Sequence, residues 1–196
     1  MTTPESDPAP APFARAVAAV RAAQPRSEME VVEIAAPTGL APYAIALAAD
    51  VRPTEHGIDS VLGTGRFVLL YDPEEPDAWD GPFRVVAFAQ APLEAEIGVD
   101  PFIAEVTWSW LIDALDARGA QYSAPSGTAT KVLSTGFGEL AGQGDAAQLE
   151  LRASWSPTGP DVGAQVEAWC DLLCMLAGLP PSSDAVSLPH RRATRD

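Results

Sequence analysis

Two histidines, two cysteines and one lysine are the scarce reactive side chains of this 196-residue sequence. None stands at a spacing that makes a catalytic or metal-binding set. His56 falls in a stretch that reads as loop and His190 near the end, and neither has a Cys, Asp or Glu partner at ligand or triad spacing. Cys170 and Cys174 lie four apart in a segment that reads as helix, so both thiols point along one face without disulfide geometry. No second pair completes a metal site, and the neighbouring Trp169, Leu172 and Leu173 place them in a core. Gly63-Thr64-Gly65 and Gly136-Phe137-Gly138 lack the frame of a phosphate-cradling loop, and Lys131 follows no such loop. Asp72, Glu74, Glu75, Asp77 and Asp80 crowd one loop, but their spacing fits no EF-hand. These readings assign no catalytic, cofactor-binding or metal-binding residue.

The tryptophans are more informative, because five of them form a large apolar payload and each indole N–H needs a partner. Trp108 and Trp110 stand about 200° apart on a helix and cannot share a face. Trp110 aligns with Ile103, Val106 and Ala114 and is expected in the core. Trp108 falls on a second stripe with Ile112 and Leu115, so that helix lies between two layers or offers one stripe to a partner. Trp79 sits beside Asp80 and Gly81 as a loop anchor. If a binding site exists, Trp79, Arg84 and Trp108 are its candidate residues.

The elements that position these residues follow from periodicity and turn chemistry. Apolar residues recur at helical spacing from Phe13 to Gln24, where Pro25 ends the run. Strands are expected over Met29–Ala35, Tyr43–Val51, Phe67–Tyr71 and Phe83–Gln90; the alanines of the second make helix its competitor. The last two of these strands are read as hairpin neighbours across DPEEPDAWDGP. Asp100 as N-cap and Pro101 at the first helical position open a helix that stops at Gly119. Two more strands, Gly127–Phe137 and Ala146–Trp155, flank a Gly-rich connection. The second alternates Leu149, Leu151, Ala153 and Trp155 with Gln148, Glu150, Arg152 and Ser154, so its sheet is wet on one side. A final helix spans Asp161–Ala177, capped by Asp161 and stopped by Gly178 and Pro180-Pro181.

The fold class is therefore α+β, a mostly antiparallel sheet with about three packed helices in the order α-β-β-β-β-α-β-β-α. Residues 13–181 form a single domain, 1–12 a Pro-rich disordered leader and 182–196 a disordered basic tail. The element order resembles that of type III secretion chaperones, acidic proteins that hold a partner chain.

Net charge is −15 and the pI about 4.3. That potential repels phosphate backbones and anionic lipid, which argues against nucleic acid and membrane as partners. No apolar run reaches membrane-spanning length and the start lacks the pattern of a signal peptide, so the cytoplasm is the expected compartment.

The runs GTGRFVLLYDP, AWDGPFRVV, VTWSWLIDALDARGA, SGTATKVLS and ELRASWSP, with the ending AWCDLLCMLAGLPP, occur in order along the chain. They resemble an actinobacterial family, domain of unknown function 3000, over about Phe13 to Pro181. That resemblance implies lineage and carries over no site residue. The expected function is a non-enzymatic, acidic protein-binding module, adaptor or chaperone-like, engaging a protein partner or itself. The alternative is a small-molecule-binding domain or an enzyme whose site spacing does not reveal.

Overall fold

The computed structural model describes residues 9–52 and 61–180. The leader up to Pro8, His56, His190 and the basic end lie outside them. The first helix, α1, spans Ala11–Ala22 and begins two residues before Phe13. Pro12 is tolerated in that first turn, where no intrahelical N–H is needed. α1 buries Phe13, Ala16 and Val20, and the Phe13 ring lies 5.6 Å from Tyr43 and 5.9 Å from Tyr71.

Six strands follow: β1 Met29–Ile34, β2 Tyr43–Val51, β3 Gly63–Tyr71, β4 Phe83–Leu93, β5 Tyr122–Thr135 and β6 Asp145–Pro157. They make one antiparallel sheet in the order β1-β2-β3-β4-β6-β5. The alanine-rich β2 is a strand because it pairs on both sides and alternates Ile45, Leu47, Ala49 and Val51 toward the core. Pairing outweighs the helix preference of its alanines. β6 alternates as its sequence requires, with Leu149, Leu151, Ala153 and Trp155 buried.

Three further helices cover the same sheet face as α1: α2 Ala95–Gly98, α3 Ile103–Ala117 and α4 Gly163–Leu176. α4 crosses the middle strands, where the Trp169 ring packs 5.6 Å from Phe67 and its Nε1–H donates to the Phe88 carbonyl at 3.1 Å. Gly65 permits that approach. A Cβ there would lie 2.8 Å from Leu173, Trp169 and the Phe88 carbonyl, so this glycine serves packing. The Trp155 Nε1–H donates to Gln165 Oε1 at 2.8 Å, and Gln165 donates onward to the Gln121 carbonyl at 3.0 Å, so the buried amide is satisfied.

Helix starts differ from the expected caps. The Asp100 carboxylate accepts the Phe102 N–H at 2.8 Å and makes a turn, regular helix begins at Ile103, and the one-turn α2 precedes it. Asp161 pairs with Arg15 of α1 at 2.9 Å instead of capping α4. The core-facing ridge of α3 is Ile103, Thr107, Leu111, Ala114 and Leu115, which corrects the expected position of Trp110. Trp110 is half-buried at the core margin and Val106 is exposed. Thr107 can face inward because its hydroxyl donates to the Ile103 carbonyl at 2.7 Å, so the helix rotates by one residue from the purely apolar reading. The Arg118 fork grips Asp171 at 2.6 and 3.0 Å and Glu167 at 3.1 Å, joining the end of α3 to α4.

Cys170 and Cys174 are buried on α4. Burial pushes the Cys174 thiol up to about 11 and the Cys170 thiol higher still. At pH 8 a thiol titrating near 11 holds about two orders of magnitude less thiolate than an ordinary one near 8.5. Native protein is therefore expected to react with dithionitrobenzoate only as fast as it unfolds, with both thiols appearing together in denaturant. A fast native phase would contradict this burial. Because the unfolded thiols lose protons first, stability falls as pH rises above about 8.5.

Candidate protein-interaction surface

Two of the three candidate binding residues come together and the third does not. Arg84 projects from β4 on the sheet face opposite the helices. Its guanidinium donates to the hydroxyls of Ser154 at 2.6 Å, Ser156 at 3.1 Å and Ser126 at 3.3 Å, and to the Ala124 carbonyl at 3.1 Å. Ser156 in turn donates to the Trp79 carbonyl, so the loop carrying Trp79 is tied to Arg84 through one hydroxyl. No carboxylate joins this set among the described residues, and burial lowers the Arg84 pKa from its ordinary value. With both terminal nitrogens engaged, the fork clamps the 72–82 loop and the β5 bulge between Ser123 and Ser126. Trp108 lies on the other side of the sheet, half-buried, its ring 2.7 Å from where a Gly127 Cβ would stand. It props β5 against α3.

The rest of the helix-free face is mixed. Val32 and Val86 are exposed there, but Arg66, Phe88 and Arg152 form a cross-strand row and Ala44, Ala46 and Ala48 are small. The Arg152 guanidinium sits 5.9 Å from the Phe88 ring centre. This is the ordinary solvated side of an antiparallel sheet.

The apolar surface instead concentrates at one end of the molecule. Twelve large apolar side chains stand exposed among the described residues, and seven of them belong to one side of two elements packed on one another. Ile97, Val99, Phe102 and Val106 come from the corner formed by α2 and the start of α3. Leu133, Phe137 and Leu140 come from the end of β5 and the hairpin tip, while the neighbouring Val132 faces the open side of the sheet opposite Gln148. Phe137 is 80% exposed, Val99 65% and Phe102 63%. Leu133 reaches to 3.0 Å of where a Gly98 Cβ would be, and the Lys131 ammonium donates to the Asp100 carbonyl at 2.9 Å, so corner and hairpin are held together. A cluster of this kind is unusual on a solvent-facing surface.

Two features surround it. β5 is the last strand of the sheet among the described residues, 14 residues long, exposed along nearly its whole length and there paired only with β6. From Gly127 to Thr135 its one charge is Lys131, so its outer backbone edge has little protection against a pairing strand. Six carboxylates also stand in these elements, on Glu94, Glu96, Asp100, Glu105, Glu139 and Asp145. All six are exposed, and none has an ion-pair partner among the described residues. The described arginines that form pairs do so elsewhere, with Asp161, Glu33, Glu28, Glu30, Asp50, Glu167, Asp171 and Glu150.

Sequence reasoning missed this end because its apolar residues sit singly in turn-rich stretches, IGVDPFI and GFGELAGQG, where no period marks them. The signal was a large apolar residue flanked by glycines or by Asp-Pro, where a turn alone does not require one. Among the described residues no three His, Cys, Asp or Glu side chains gather as a metal-binding group, and no helix is long and apolar enough to cross a membrane.

No curated protein and no solved structure gives a significant match to this chain. The family model described as Protein of unknown function (DUF3000) matches residues 9–186, and by that match over most of its length the chain belongs to this family.

Proposed function

We propose that this protein is a non-enzymatic protein-binding module, adaptor or chaperone-like, acting in the cytoplasm through the apolar end formed by the α2–α3 corner and the β5–β6 hairpin. One observation carries the reading: seven exposed large apolar side chains collect beside an edge strand whose outer side is unpaired among the described residues. Burying such side chains gives about 1.5–3 kcal/mol each, and an open strand edge adds main-chain hydrogen bonds to any extended segment laid along it. The negative net charge supports exclusion of nucleic acid and anionic membrane as partners. Trp108 and Arg84 serve this surface indirectly, bracing β5 from its two sides. The resemblance in element order to secretion chaperones points the same way without adding a residue to the argument.

The test is purification of the tagged full chain from its native cytosol beside a Phe102→Asp/Phe137→Asp variant. A stoichiometric protein that accompanies the parent and is lost from the variant supports the reading. A protein retained equally by both removes it. A second reading, a small-molecule-binding domain, has one observation in its favour: a hollow of about 470 Å³ on the open sheet face lined by Arg66, Val86, Phe88 and Arg152. A metabolite retained by the parent and lost from Arg66→Ala would favour it.

A further inference from the structure

The charge pattern of the docking end selects among partners. We infer that its occupant is a basic segment of another protein, one that carries apolar side chains flanked by Lys or Arg. This inference rests on the docking reading above and names the chemistry of the partner.

The elements that carry the apolar cluster, Glu94–Ser109 and Gly127–Ala147, hold six acids and one cation, Lys131. The ammonium of Lys131 is directed to the Asp100 carbonyl, and none of the six acids has an ion-pair partner among the described residues. An apolar patch edged by uncompensated carboxylates accepts an apolar segment with cationic flanks and rejects an acidic one, because like charges at the rim oppose docking and opposite charges steer it. The same rim argues against a second copy of this chain. A twofold contact would set Glu96, Glu105, Glu139 and Asp145 of one copy against the same carboxylates of the other, with a single lysine per copy to offset them. It argues equally against nucleic acid, whose phosphates meet the carboxylates directly.

The test uses three synthetic probes on the full chain: a leucine–lysine peptide, a leucine–glutamine peptide and a leucine–glutamate peptide of equal length. Two charge variants accompany the parent. One neutralises the rim, Glu96→Gln/Glu105→Gln/Glu139→Gln/Asp145→Asn. The other removes the same number of charges from the distant acidic loop, Glu74→Gln/Glu75→Gln/Asp77→Asn/Asp80→Asn.

The lysine peptide is expected to bind the parent and the loop variant alike and the rim variant about tenfold more weakly, since each exposed charge pair adds little alone and four together add a measurable factor. Its binding also weakens with salt, and the glutamate peptide does not bind. If the glutamine peptide binds as tightly as the lysine peptide, and Phe102→Asp/Phe137→Asp abolishes both, the docking surface stands and its preference for a basic partner falls. Equal losses in the loop and rim variants would assign the attraction to overall charge and overturn the inference. So would a tenfold gain on changing Arg191, Arg192 and Arg195 to glutamine, which would make the chain's own basic end the occupant. Concentration-dependent dimerisation blocked by Phe137→Asp would replace the basic partner with a second copy. If no peptide responds to the Phe102 and Phe137 substitutions, the docking reading itself fails.

Discussion

A Trp169→Ala chain is expected to unfold about 10 °C or more below the parent. Trp169 is fully buried, and its ring lies at the crossing of α4 over β3 and β4, against Phe67 and above the space left by Gly65. Removing a buried tryptophan side chain costs about 3–5 kcal/mol, because the cavity left in a close-packed interior closes only in part. The substitution also leaves the Phe88 carbonyl without its indole donor. For a chain of this size each kcal/mol lowers Tm by about 2–4 °C, and total stability is about 5–15 kcal/mol. Trp169→Phe keeps most of the volume and loses the hydrogen bond, so it should fall between parent and alanine variant. Thermal unfolding followed by circular dichroism reads both. A Trp169→Ala loss under about 1 kcal/mol would mean that α4 does not seat on the sheet as described.

The second large effect is on binding and leaves the fold alone. Phe102→Asp/Phe137→Asp should weaken partner capture by about a hundredfold or more while moving Tm by no more than a degree or two. Both rings project into solvent, and the contact that shapes the turn at Phe102 is made by its backbone N–H. Nothing inside the core is lost. In a bound state each phenyl is an anchor worth about 1.5–3 kcal/mol, and aspartate replaces it with a charge that must be desolvated on docking. Two such losses exceed the 2.7 kcal/mol or so that corresponds to a hundredfold change in Kd. A titration of parent and variant with the co-purified protein measures the ratio, and the melting curves serve as the folding control.

Much of the fold was legible because its signals are periodic. The alternation in Gln148–Trp155 reports a half-wet strand, the spacing of Val162, Val166, Trp169, Leu173 and Leu176 reports a core-facing helix, and all of these apolar residues are buried. Where the sequence misled, a polar side chain found an internal partner. Thr107 bonds to the carbonyl one turn back and so takes the core position that apolar counting gave to Trp110. Asp161 and Asp100 looked like helix caps, but the first is held by an arginine 146 residues away and the second closes a turn ahead of the helix.

The site was least legible because an interaction surface has no period. Phe102 and Phe137 lie 35 positions apart, and only the packing of α2 on β5 and β6 brings their elements to one end of the molecule. Arg84 and Trp79 were found as residue types. Their connection through Ser156 depends on a register between β4 and β6 that local sequence does not encode.

Site-specific photo-cross-linking in native cytosol separates the apolar end from the open sheet face as the docking surface. A benzoylphenylalanine at Phe137 would sit on the proposed docking end, and the same group at Val86 would sit on the open sheet face, where the native side chain is 42% exposed. A discrete protein adduct is expected from position 137 and none from position 86. An adduct at position 86 with none at 137 would contradict this expectation and move the binding surface to the arginine-lined face of the sheet.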